Sequence, residues 1–241
     1  MTVLKTLPDL SSVPSNPLAE PLDMNKAIES SSSIHFKYWT VQEYHRMSDL
    51  GILDPSQRTE LIAGQIILMT AKGTPHVLTL RLLATALENA LVDPAVFVST
   101  QDPIRLDNFS EPEPDLALIK GTILDYAQVH PGAEDIYLVI EVADSTLKQD
   151  CEVKDKLYAR WRSLSPGESS IAEYWVIDIK NRQVHILRDP TPTGYSSQLI
   201  LTETHSVSPL AFPEMILSIS SILPPVPYSL PGIRLSVTNP Y

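Results

Sequence analysis

Apolar residues in this chain recur in two rhythms, and their alternation along the sequence predicts a mixed α/β fold. A capping residue at Thr40 predicts a short helix through about position 50. Residues 58–69 (RTELIAGQIILM) read as a hairpin that turns at Ala63-Gly64, with Glu60 on its first strand. A longer helix over about 75–92 carries Leu78, Leu82, Leu83, Ala86 and Leu87 at helical spacing and is stopped by Asp93-Pro94. Strands are expected near 96–100, 104–106 and 115–119, and then at the wholly apolar run 136–140, which ends on Glu141. Residues 147–162 read as a helix opened by the capping box Thr146-Leu147-Lys148-Gln149. A polar linker, 163–170, precedes a hairpin of 171–178 and 183–188 around Lys180-Asn181, a strand at 198–202 and a helical turn near 220–223. The sum is a mixed central sheet flanked by helices.

Composition bounds this picture. Residues 1–34 are rich in Pro and Ser and lack an apolar period, so a flexible tail is expected there. A Pro-rich tail is expected at 224–241, with one domain spanning 35–223. The lone Cys151 excludes an internal disulfide or a cysteine-built zinc site. With no run of eighteen apolar residues and no basic-then-apolar leader, a soluble, cytoplasmic protein without membrane partners is expected. A net charge of −11 argues against tight nonspecific binding to phosphate backbones, but not against a nuclease. Carboxylates that hold a metal count as negative charge until the metal arrives.

Glu141 is the position that asks for an explanation. A charge at the end of a buried strand is expensive unless it is paired, hydrogen-bonded or metal-bound. Asp115, at the start of another apolar strand, and Lys154, on the following helix, are its candidate companions. At about 100° per residue, Leu147, Cys151, Tyr158 and Trp161 share one arc, with Lys154 at its middle and Asp150 near its edge; Lys148 and Lys156 fall outside it. Two or three carboxylates at strand ends form the hard oxygen set that Mg²⁺ or Mn²⁺ prefers, and an ammonium beside them suits phosphodiester hydrolysis. Each residue also has a plainer role: Asp115 as a turn residue, Glu141–Lys154 as a structural ion pair, Glu60 as a solvated strand residue. For His76, at a helix start, a contact to phosphate is one reading, and a capping or surface role is the one expected. Tyr158 and Trp161 are expected in the core, Asp150 as a partner holding Lys154 in place, and Gln101 is noted only for its nearness to the expected site.

The ordered segments RTELIAGQI (58–66), EPDLAL (113–118), IEVADSTL (140–147), Asp150 with Lys154 and Tyr158, and EYWVID (173–178) together resemble the Uma2 family, also called DUF820, over about 40–223. The resemblance implies a restriction-endonuclease-like core of the PD-(D/E)xK type and a DNA endonuclease dependent on Mg²⁺ or Mn²⁺. Under it, Asp115 and Glu141 bind the metal, Glu60 is the additional acidic ligand, and Lys154 is catalytic. The usual lysine two positions after the second acid is replaced here by Ala143, and the D-x-x-x-K-x-x-x-Y pattern of Asp150, Lys154 and Tyr158 supplies it from the next helix. The stretch 162–170 also departs from the short link of relatives. A homodimer is a further expectation of the resemblance. The alternative is a noncatalytic binding or regulatory protein on the same fold.

Overall fold

The computed structural model describes residues 35–144, 147, 150–159 and 170–225. The expected tail 1–34, the expected C-terminal tail from 226 on, Thr146, Lys148 and Gln149 of the expected capping box, Trp161 and the linker through 169 lie outside these residues. The chain divides into two units, 1–37 and 38–241. Residues 35–37 of the first carry no helix or strand, and all the described helices and strands belong to the second.

Helix α1 (Val41–Asp49) begins where the sequence says it should. The Thr40 hydroxyl accepts from the Glu43 N–H, and the Glu43 carboxylate accepts from the Thr40 N–H, a reciprocal capping box. Strands β1 (Thr59–Ile62) and β2 (Gln65–Leu68) pair antiparallel. Both turn residues, Ala63 and Gly64, have positive φ (49° and 79°), the twist that a two-residue hairpin needs. A Cβ at Gly64 would lie 2.6 Å from the Tyr38 Cβ, so glycine is required there for space as well as for conformation.

After helix α2 (Thr74–Ala90), six strands form one sheet: β3 (Val96–Thr100), β4 (Leu116–Lys120), β5 (Ile136–Ala143), β6 (Glu173–Asp178), β7 (Gln183–Thr191) and β8 (Gly194–Thr202), paired in that order. Only β5 and β6 run parallel, so the sheet is mixed. Between them stands a π-helical turn, Asp150–Lys154, that runs into α3 (Asp155–Ala159). A small ladder of β9 (Ser206–Val207) with β10 (Leu217–Ser218) and the short α4 (Ile219–Ile222) complete the described chain.

The central strands of the sheet are buried on both faces, which explains the apolar runs within β5 and β6. On one face, Leu80, Leu83 and Leu87 of α2 and Ile219 and Ile222 of α4 pack on Leu116, Leu118, Leu138, Ile140 and Trp175. On the other, Ile62 of the hairpin and Leu157 and Tyr158 of α3 pack on Val139, Ala143, Tyr174 and Val176. Glu141 shares the parity of Val139 and Ala143, so it points to the second face, beneath the hairpin and the π turn.

Three sequence expectations require correction. Residues 104–106 form no strand: Ile104 and Leu106 instead donate to the Pro112 and Ser110 carbonyls within a loop, with one isolated bridge at Arg105. The buried stripe of α2 runs through His76, Leu80, Leu83 and Leu87, while Leu78 is 39% exposed. Leucines crowd this helix so densely that more than one apolar arc fits its spacing. The helix expected from 147 is wound as a π turn over 150–154, with both Asp150 and Lys154 buried.

Candidate active site

The register of β4 and β5 builds the site. Leu116 pairs with Ile140, so Asp115, one step before Leu116, arrives beside Glu141, one step after Ile140. The Val142 N–H donates to Asp115 Oδ2 at 2.9 Å and locks this arrangement. Asp115 also accepts from His76 Nε2 (2.9 Å), Lys72 Nζ (2.9 Å) and Gln101 Nε2 (3.1 Å). Burial works against the Asp115 charge, but the hydrogen bond and charge of His76 and the Lys72 ammonium outweigh it and hold this carboxyl below its ordinary range.

Glu141 experiences the opposite balance. Its Oε1 accepts from Lys154 Nζ at 2.7 Å and from the Tyr158 hydroxyl at 2.8 Å. Burial nevertheless pushes Glu141 up to about 8 against the pull of Lys154, with Asp115 and Asp150 adding like-charge repulsion. Burial also opposes the charge on Lys154, yet Glu141 and Glu60 hold this ammonium above its usual value. Glu60, on β1, lies 3.9 Å from Lys154 Nζ and accepts from the Glu113 N–H at 3.2 Å. Two neighbouring carboxyls are thus pushed in opposite directions, Asp115 down and Glu141 up.

All four expected site residues, Asp115, Glu141, Lys154 and Glu60, line one cleft of about 420 Å³, together with Lys72, His76, Glu113, Asp144 and Asp150. The plainer reading of Glu60 as solvated is excluded, since it is buried. His76, expected to cap or to face solvent, is a buried partner of Asp115; it sits in the first turn of α2, where the helix runs over the β4–β5 end of the sheet. Lys72 has no periodic signal in the sequence because it lies in a loop. Gln101 follows β3 with a φ of 59°, a left-handed backbone that aims its amide at Asp115, and no side-chain pattern announces that. A contrast comes from Glu173, equally buried in β6 but away from the cleft. Its carboxylate is taken by Arg188, the Trp175 indole N–H and the Leu210 N–H, which is a structural arrangement.

Mg²⁺ or Mn²⁺ fits this donor set. Both are oxygen-seeking cations, Asp115 and Glu141 are hard oxygen donors on adjacent strands, and a cation would offset the burial and the like-charge repulsion that raise Glu141. Among the described residues no helix is long and apolar enough to cross a membrane.

Comparison with known proteins agrees with this geometry at the level of fold and family. No curated protein matches the chain in sequence. A crystal structure of a protein from Anabaena variabilis, described as a "putative nuclease belonging to DUF820", is similar with a TM-score of 0.54 and 16% identity, covering 76% of this chain and 96% of that one. That likeness shows the fold. The Uma2 family profile, described as "Putative restriction endonuclease", matches residues 41–220, so the chain belongs to the Uma2 family.

Proposed function

We propose that the chain is a metal-dependent endonuclease of the PD-(D/E)xK type that hydrolyses phosphodiester bonds in DNA. The observation that carries this reading is the buried pair of Glu141 and Lys154 beside Asp115 at the floor of one cleft. Asp115 and Glu141 would hold Mg²⁺ or Mn²⁺, with Glu60 as the additional acidic residue. The cation, when bound, would polarise the phosphoryl oxygen and lower the pKa of its water. The chain's own residues do the rest. Lys154, kept charged by its acidic neighbours, offers an ammonium for orienting the attacking water or for charge developing on the phosphate. Tyr158, whose phenol burial and Glu141 hold far above its ordinary pKa, remains a donor and fixes the Glu141 carboxyl. Lys72 stands at the cleft wall, where its ammonium would meet a phosphate once Asp115 is engaged elsewhere.

A second reading, a noncatalytic binding or regulatory protein on the nuclease fold, is favoured by one feature: both Asp115 oxygens already have protein partners. The test is Mg²⁺- and Mn²⁺-dependent cleavage of plasmid and single-stranded DNA by wild type beside Asp115→Asn. Cleavage by wild type alone supports the enzyme. No cleavage by either, with no Mg²⁺ binding in titration, would overturn the enzyme reading and favour the second.

A further inference from the structure

Outside the cleft, His45, Glu111 and His130 each offer one ligand atom, and these atoms lie within 4.8 Å of one another. The two imidazoles are exposed and the carboxylate is buried, so the cluster opens to solvent on one side and is closed by protein on the other. His45 Nε2 lies 2.5 Å from Glu111 Oε1. Glu111 Oε2, by contrast, is buried and has no hydrogen-bond partner. A buried carboxylate oxygen without a partner is unfavourable by an amount comparable to a lost hydrogen bond or more, and a cation satisfies it. The His45 and His130 rings stand edge to face with centroids 6.3 Å apart.

We propose that His45, Glu111 and His130 form a second metal site, for Zn²⁺ or a similar borderline first-row cation, separate from the Asp115–Glu141 cleft. The donor set selects the ion: two imidazoles disfavour Mg²⁺ and Ca²⁺, the absence of a thiolate disfavours the softest ions, and two nitrogens with one carboxylate oxygen suit Zn²⁺ with a fourth position left for water. Tetrahedral Zn²⁺ with bonds near 2.0–2.1 Å sets its ligand atoms about 3.3 Å apart. The His45–Glu111 contact therefore opens by about 0.8 Å on binding. The side chain of His45 is 47% exposed and has room to swing.

The three ligands stand on backbone that is already tied together. The Val41 N–H at the start of α1 donates to the Asn108 carbonyl at 2.8 Å, and the Glu111 N–H donates to the Leu61 carbonyl at 2.7 Å. Next to His130, the Pro131 carbonyl accepts from the Arg105 N–H at 2.8 Å. Little ordering of the chain opposes binding, which favours affinity. The ion would join α1 and the 127–132 loop to the segment paired with β1, the strand that carries Glu60. This site does not depend on the proposed nuclease activity.

The test is titration of the full chain, stripped by a chelator, with Zn²⁺ alone, and with Co²⁺ for its visible absorption. Wild type and Asp115→Asn should each bind one ion with a Kd of about 1 µM or tighter, and Zn²⁺ should raise the Tm of both. His45→Ala and His130→Ala, both at exposed positions, should keep the fold by circular dichroism and weaken binding at least about tenfold. Zn²⁺ affinity unchanged in both histidine variants, affinity lost only in Asp115→Asn, or no binding by wild type would overturn the assignment.

Discussion

Lys154 Nζ lies 2.7 Å from Glu141 Oε1 and 3.9 Å from Glu60 Oε1, so one buried ammonium bridges carboxylates from β5 and from the N-terminal hairpin. Lys154→Ala should leave Asp115, Glu141 and Glu60 in place and lower the proposed DNA cleavage by about 100-fold or more. It should also destabilise the metal-free protein by about 1–3 kcal/mol, less than a permanently charged pair would lose, since Glu141 can take up a proton. Mg²⁺ titration, cleavage rates and urea unfolding measure the three effects, and normal cleavage by the variant would remove Lys154 from the chemistry.

The pH dependence of stability follows from Glu141. Its folded-state pKa, about 8, lies above the ordinary 4.5, so between these values the folded chain holds a proton that the unfolded chain has lost. The contribution of this group is complete below the unfolded value and is lost as pH rises through the folded one, with a slope of at most ~1.4 kcal/mol per pH unit. The stability of wild type minus that of Glu141→Gln, taken from urea unfolding without metal, should therefore fall between about pH 5 and about pH 8. A flat difference would mean that Glu141 does not titrate in this range.

The same proton should appear in metal binding. At neutral pH, Mg²⁺ binding by wild type is expected to release close to one proton per ion, seen as a buffer-dependent heat in calorimetry, and its affinity should rise with pH up to about 8 and then level. Affinity independent of pH below that value would place the ion away from Glu141.

Asp115 behaves differently from an isolated pair of repelling acids. Its carboxylate satisfies Lys72, His76, Gln101 and the Val142 N–H, so truncation strands several partners at once. Asp115→Ala should lower stability by about 2–4 kcal/mol as well as abolish metal binding, whereas Asp115→Asn, which keeps the shape, should lose the metal with a smaller stability change. Thermal unfolding of the two variants side by side separates these effects.

Gly64→Ala probes the hairpin. The new Cβ would meet Tyr38 at 2.6 Å and the φ of 79° would be strained, so a loss of about 1–3 kcal/mol is expected, accompanied by reduced cleavage because β1 carries Glu60. Urea unfolding and cleavage rates measure both; unchanged stability would show that the turn can shift freely.

Much of the fold was legible because the local signals agree with one another. Thr40 caps its helix, Ala63-Gly64 turns its hairpin, and the two-sided burial of β5 and β6 writes itself as the apolar runs within them. Glu141 and Lys154 could be paired because a lone charge at the end of such a run demands a partner and helical spacing supplies one. That Lys72, His76 and Gln101 all bond Asp115 was not legible, for a different reason. They reach Asp115 from a loop, a helix start and a left-handed residue, three settings whose side-chain direction is set by tertiary packing and not by period. The buried face of α2 was ambiguous because its leucines fit two arcs.

The wide turn at Asp150–Lys154 carries a consequence for how this chain tolerates insertions and deletions. A π turn closes its hydrogen bonds over five residues instead of four, so residues four apart stack more nearly above one another than in an α-helix, and Asp150 and Lys154 both stay inside. Removing one residue, such as Cys151, would let the turn revert to regular winding and leave Asp150 and Lys154 three residues apart, about 60° from one another around the helix axis. A single-codon deletion that alters no charged residue would thus shift Asp150 relative to the ammonium it accompanies.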